Sequence, residues 1–172
     1  PIISEESSAN KKNENLNNFW LIDPIDGTND YINNRDEFTI NAALIIKKKP
    51  AAGIVNAPAK NRIFYSYGYK NSYEKTIKGE INLEAIVKKN NKVVAVSYSN
   101  KLKPEILTLH KKFKVNNYQK MKSSYKFCVI AAGEYDLYVA EPRACEWDIA
   151  AGHAILEHAG GVVTDFNNNK IL

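Results

Sequence analysis

The 172-residue chain has two cysteines, three histidines and no apolar run long enough to cross a bilayer. Cys128 and Cys145 lack metal-ligand spacing, and one disulfide is a poor staple for a chain of this size, so both are expected to be reduced and buried. His110, His153 and His158 stand too far apart to form a zinc site with those cysteines. His153 and His158 read better as helix residues, the latter as a positive partner for a helix C-terminus. No signal-peptide order opens the chain, and a soluble, cytoplasmic protein without a membrane span is expected. Gly-x-Ser-x-Gly and P-loop spacings are absent, which disfavours serine-nucleophile and nucleoside-triphosphate chemistry. The net charge of +5 implies a general attraction to anionic ligands. The lysines are nevertheless scattered among Asn and Ile, and no face concentrates Arg with aromatics, so nucleic acid is not an expected partner.

What is present is a normal globular composition, 44% hydrophobic, and one stretch around which the rest is placed: Trp20-Leu21-Ile22-Asp23-Pro24-Ile25-Asp26-Gly27-Thr28. Residues 19–22 read as a buried strand, Pro24 interrupts its ladder, and Gly27-Thr28 permits a tight turn that could open a helix. Asp23 and Asp26 would offer hard oxygen ligands to a cation, with an anion held at the turn. Taken alone, the same residues also suit a strand end with an Asx turn and a helix cap.

A polar, Asn-rich stretch over 7–18 reads as a loop. Strands are expected over 38–46, 51–57 and 62–67 as an antiparallel meander, with a linker over 83–91 and a new unit from the strand at 93–97. The division falls at 1–91, an antiparallel-sheet part with metal-binding residues, and 92–172, an α/β part. In the second part 104–113 suits an amphipathic helix, 127–132 a helix or strand, and 137–140 a strand. Residues 148–159 place Ile149, Gly152, Ile155 and Leu156 on one helical face, with Asp148 in the N-cap position and Gly160-Gly161 as the stop. Residues 162–164 return as a strand. The mixture of types gives the class α/β or α+β with layered sheets.

Glu5 follows a short apolar strand and is a candidate third ligand beside the two aspartates, while Asp148 is either a helix N-cap or a fourth. Together, Ser4-Glu5-Glu6, the 20–28 stretch, Trp147-Asp148-Ile149-Ala150-Ala151-Gly152 and Gly160-Gly161 resemble the ordered signature of the inositol monophosphatase superfamily. The resemblance runs through nearly all of the chain. It implies a layered α-β-α-β-α sugar-phosphatase fold with two sheets. It also implies Glu5, Asp23, Asp26, Asp148 and the Ile25 carbonyl as ligands for two or three magnesium ions, with Gly27 and Thr28 holding phosphate. Thr28 and Asp26 are then the catalytic pair, Thr28 orienting an attacking water, and Glu6 is the less suited glutamate for the metal. Lithium sensitivity is implied as well.

Lys122-Ser123-Ser124-Tyr125-Lys126-Phe127-Cys128 resembles the CysQ-like 3'(2'),5'-bisphosphate nucleotidase branch of that superfamily, in which a serine and a lysine three residues later bind a second phosphate. Ser123, or Ser124 in its place, and Lys126 are thus the expected substrate contacts; the other reading is a surface lysine with a helix-capping serine. The implied activity is hydrolysis of the 3'-phosphate of adenosine 3',5'-bisphosphate to AMP. An inositol-1-phosphate phosphatase, or a silent member that only binds metal and nucleotide, are the alternatives, and a monomer or homodimer is expected. In the family, helices precede the first motif and one carries an acidic partner for the threonine. Those helices and the family's C-terminal end have no counterpart in this sequence, so a fragment is expected.

Overall fold

The computed structural model describes residues 1–10, 16–83, 92–140 and 144–171. It is a mixed α/β structure with two sheets. The first sheet has seven strands in sequence order, β1 (Ile2–Ser4), β2 (Asn18–Asp26), β3 (Thr39–Ile46), β4 (Lys49–Ala57), β5 (Arg62–Ser66), β6 (Ser72–Thr76) and β7 (Gly79–Asn82). β1 runs parallel to β2, and every later pair is antiparallel. The meander expected over β3–β5 is present and continues through β6 and β7. Those two strands were not anticipated, because Ser72–Thr76 and Gly79–Asn82 carry little of the apolar alternation that marks a half-buried strand.

Register explains which side of the sheet becomes the core. Leu21 pairs with Ala43, Ala43 with Gly53 and Val55 with Phe64, so the inward positions of four strands share one face. Helix α4 (Glu146–His158) lies on that face. It is buried from Ala150 to Leu156, all round rather than on one stripe, because α3 (Tyr125–Ala131) packs on its other side. A Cβ at Gly53 would come within 2.5 Å of the Ala151 carbonyl oxygen, so the glycine is what lets helix and sheet approach this closely. The opposite face leaves Trp20, Ile40, Ile46 and Ile54 exposed and stacks Tyr65 on Tyr73 at 5.3 Å.

The second sheet has β8 (Val93–Ser97) between β10 (Leu137–Tyr138) and β9 (Val115–Lys120), all parallel. Helix α2 (Pro104–Lys112) connects β8 to β9 as the sequence pattern predicts. The sequence pattern does not mark β9, since Val115-Asn116-Asn117-Tyr118-Gln119-Lys120 is polar and its strand character comes from pairing with β8. α3 settles the helix-or-strand choice over 127–132 in favour of helix.

Four expectations are corrected. Residues 162–164 are not a strand; only Thr164 bridges to Lys170 around a turn closed by Asp165. Asp148 is not an N-cap, because α4 starts two residues earlier: Cys145 occupies the cap and Asp148, at the third helical position, accepts the Cys145 N–H at 2.8 Å. Both cysteines are free thiols, but only Cys128 is buried and Cys145 is exposed. Burial lowers the pKa of His158, whose Nδ1 accepts the Gly68 N–H, so it sits as a neutral acceptor rather than a charged dipole partner. Of the 7–18 stretch read as a loop, residues 7–10 belong to a 3₁₀ helix, Glu5–Asn10. The linker expected over 83–91 falls outside the described residues beyond Leu83. The two parts of the chain share one core, with Leu21, Val55 and Phe64 clustered with Val129, Ala151 and Ile155.

Candidate metal centre

The β2 strand loses its register between Asp23 and Asp26, where Pro24 has no N–H to give to the ladder. The break is locally closed. Asp23 Oδ1 accepts the Ile25 N–H at 3.0 Å, and the Thr28 hydroxyl donates to the Ile25 carbonyl at 3.1 Å. Gly27 then turns with φ 92° into α1 (Thr28–Ile32), and a Cβ there would come within 2.8 Å of the Glu37 carbonyl oxygen. Only glycine satisfies both the left-handed backbone and that approach.

Asp23, Asp26 and Asp148 come together with carboxylate oxygens within 4.8 Å of one another. The first two reach the site from the strand break and the third from the first turn of α4. Asp23 is 1% exposed, and among the described residues its Oδ2 has no hydrogen-bond partner. Burial first, then the neighbouring Asp26, Glu5 and Asp148 charges, push its pKa up to about 8. Asp148 is also raised, chiefly by burial. Several carboxylates crowded in a buried site, one with an orphaned oxygen, are the donor set a hard divalent cation satisfies, so the residues present could hold one. Glu5 begins the 3₁₀ helix after β1, close enough to raise Asp23 but outside the group of three.

Ser124 is the residue sequence reasoning undervalued. Its N–H and hydroxyl lie 2.6 and 2.7 Å from Asp26 Oδ2, its hydroxyl is also 2.7 Å from the Asp148 carbonyl, and Asn41 Nδ2 donates to the Ser124 Oγ at 2.8 Å. It therefore ties β3, the Asp26 turn and α4 at one point. Its hydroxyl is committed to this junction. Ser123 is 7% exposed with φ 53°, and its carbonyl accepts the Lys126 ammonium. Lys126 is buried rather than solvent-facing, with its Nζ 5.1 Å from the Tyr138 ring centre and 5.9 Å from that of Tyr98, and its charge partly opposes the burial-driven rise at Asp148. No local sequence signal could have found the Ser124 junction, since its partners lie 98 and 83 positions away.

A cleft of about 450 Å³ is lined by Asp30, Arg35, Glu37, Lys120 and Lys122 among others. No helix among the described residues is long and apolar enough to cross a membrane.

The chain is 37% identical to the 3'(2'),5'-bisphosphate nucleotidase CysQ of Buchnera aphidicola over 99% of its own length and 64% of that protein's. It is 30% identical to the enzyme of the same name from Escherichia coli K12, over 99% and 69%. The chain thus spans somewhat under two thirds of the length of the Buchnera relative. Among solved structures, CysQ from Bacteroides thetaiotaomicron, described as a bacterial member of the inositol monophosphatase family, superposes with a TM-score of 0.77 at 28% identity, covering 93% of this chain and 66% of that one. The Anabaena inositol monophosphatase superposes at 0.79 with 22% identity, a likeness of fold. With the inositol monophosphatase family model matching residues 1–172 in full, the chain belongs to that family.

Proposed function

We propose that this protein is a magnesium-dependent phosphomonoesterase that removes the 3'-phosphate of adenosine 3',5'-bisphosphate, leaving AMP and phosphate. The observation that carries the reading is the Asp23, Asp26 and Asp148 cluster with its partnerless Asp23 oxygen. The bisphosphate substrate is supported by Ser123 and Lys126 beside the cluster and by the two nucleotidases at 30 and 37% identity.

Asp23, Asp26, Asp148, Glu5 and the Ile25 carbonyl would hold two or three cations. When bound, magnesium ions would neutralise phosphate charge, acidify a water and stabilise the leaving alkoxide, so no covalent enzyme intermediate is needed. Ser124 holds Asp26 with two donors, fixing which carboxylate oxygen faces inward. The Thr28 hydroxyl gives its proton to the Ile25 carbonyl, so its lone pairs face outward and can accept a hydrogen bond from a water, orienting it toward phosphorus. Backbone N–H groups of Gly27 and Thr28 would meet the phosphate oxygens. Lys126 would balance the second phosphate, the part of the substrate that is retained.

A phosphate-release assay with magnesium, comparing adenosine 3',5'-bisphosphate with inositol 1-phosphate, tests the substrate. Faster turnover of the inositol ester would replace the nucleotidase reading with an inositol phosphatase. Asp26→Asn should abolish magnesium-dependent turnover with the fold intact by circular dichroism. Lys126→Ala should raise KM for the bisphosphate at least tenfold more than for a monophosphate, a difference of about 1.4 kcal/mol in binding. One observation favours a second reading: the hydrogen bond that the Thr28 hydroxyl makes goes to a carbonyl, not to a carboxylate base. Calorimetry that finds cation and nucleotide binding without turnover would identify a silent member.

A further inference from the structure

The turn 27–29 lies between two acidic residues, and both are gripped by one distant segment. Asp26 is held by Ser124, as described. Asp30, in α1 and 3% exposed, is held by Lys122, whose Nζ lies 2.8 and 2.7 Å from its two oxygens. The prongs are two residues apart, and Ser123 between them has a left-handed backbone, a conformation that persists in a non-glycine residue where surrounding contacts over-determine it. α1 has only five residues and no side-chain cap at its start, so little within the helix itself fixes its direction.

We infer that Lys122 is a positioning residue: with Ser124 it clamps the turn bearing Thr28 from both sides, through its ion pair with Asp30, and so sets where that turn meets phosphate. This rests on the phosphatase reading only for the word phosphate; the clamp itself is a matter of contacts. Asp30 has a second cation in Arg35, but that contact is longer, 3.3 Å, and the Arg35 side chain is 58% exposed against 17% for Lys122. A solvent-screened partner contributes little, whereas an enclosed bidentate ammonium contributes most of the hold. The lysine charge is consumed by Asp30, which lowers that carboxyl's pKa through the Lys122 hydrogen bond, so Lys122 acts through the turn and is not a ligand for the substrate.

The test uses Lys122→Met, Asp30→Asn, the double variant and Lys122→Arg in the full chain. Amide exchange over residues 27–32, the affinity for inorganic phosphate with magnesium present, and the affinity for magnesium alone are measured. Each single change should speed exchange over 27–32 and weaken phosphate about tenfold, with magnesium affinity within about twofold of the parent, while the double variant is no worse than either single. Lys122→Arg should restore both readouts, which a loss of general stability would not predict. Unchanged exchange, additive effects, or tighter phosphate binding in Asp30→Asn, as a freed substrate-binding lysine would give, each overturn the clamp. If Lys122→Met does not fold, the near-isosteric Asp30→Asn carries the same readouts. If exchange responds as expected yet the parent hydrolyses no phosphomonoester, the clamp stands and the phosphatase reading falls.

Discussion

Asp23 concentrates the electrostatic problem of this site in one side chain. Its pKa in the folded chain is about 8 against 3.8 in a model carboxyl, because burial and three neighbouring acids, Asp26, Glu5 and Asp148, all disfavour its charge. For a carboxyl with a raised folded pKa, the native state binds more protons than the unfolded one between those values. The Asp23 contribution to stability is therefore fully present below about pH 4 and is lost progressively toward pH 8. Without divalent cations, the melting temperature should fall over pH 5–8 relative to Asp23→Asn, by roughly 5–10 °C. Excess magnesium should remove the slope, because a bound cation favours the ionised form. A parent and variant with parallel pH profiles would count against a buried acid here. The aspartates themselves were legible in the sequence, since Asp-Pro-x-Asp-Gly at the end of an apolar run is a local signal. That Asp23 is the buried one with acidic neighbours was not, because Glu5 and Asp148 arrive from elsewhere in the chain.

Elements meet here with little room to spare. α4 crosses the sheet where a Cβ on Gly53 would strike the backbone of Ala151, and at Gly152 a Cβ would come within 2.6 Å of the Phe127 ring. The α4 sequence, Ala150-Ala151-Gly152 with Ala154, keeps both flanks flat, which is how one helix can lie between a sheet and α3. Gly53→Ala should therefore cost about 2–3 kcal/mol, read by urea denaturation, because the atom in the way is a main-chain carbonyl that cannot rotate aside. A loss below about 0.5 kcal/mol would show that helix and sheet separate easily. The existence of α4 followed from its 3.6-residue pattern. Its true start did not, since Cys145 is a rare cap and the Cys145–Asp148 box becomes visible only in the fold.

At the scale of the molecule, Arg62 does for the two halves what Ser124 does for the site. From β5 it reaches Glu74 at 2.6 Å on the next strand, the Tyr125 hydroxyl on α3 and Glu134 beyond α3, with its guanidinium 4.8 Å from the Phe64 ring centre. Glu74 is 6% exposed, so removing the arginine strands a buried carboxylate. Arg62→Met should destabilise the chain by about 3–5 kcal/mol, and adding Glu74→Gln should recover part of that loss. An unchanged denaturation midpoint for Arg62→Met would mean that this arginine adds nothing to the other contacts joining the two halves.

The sequence by itself determined what is local: the β3–β5 meander, the broken strand ahead of Gly27, the α2 and α4 helices and the acids that could bind a cation. These follow from side-chain periodicity, from the missing proline donor and from the turn only glycine permits. The tertiary structure decided which acids face each other, that Ser124 rather than Ser123 is bound to Asp26, that Lys126 is buried between two tyrosines and that Lys122 grips Asp30. Each of those depends on pairing residues about 12 to 125 positions apart, which no local pattern encodes. The polar strands β6, β7 and β9 belong to the same class, because their extended form comes from the neighbours they pair with.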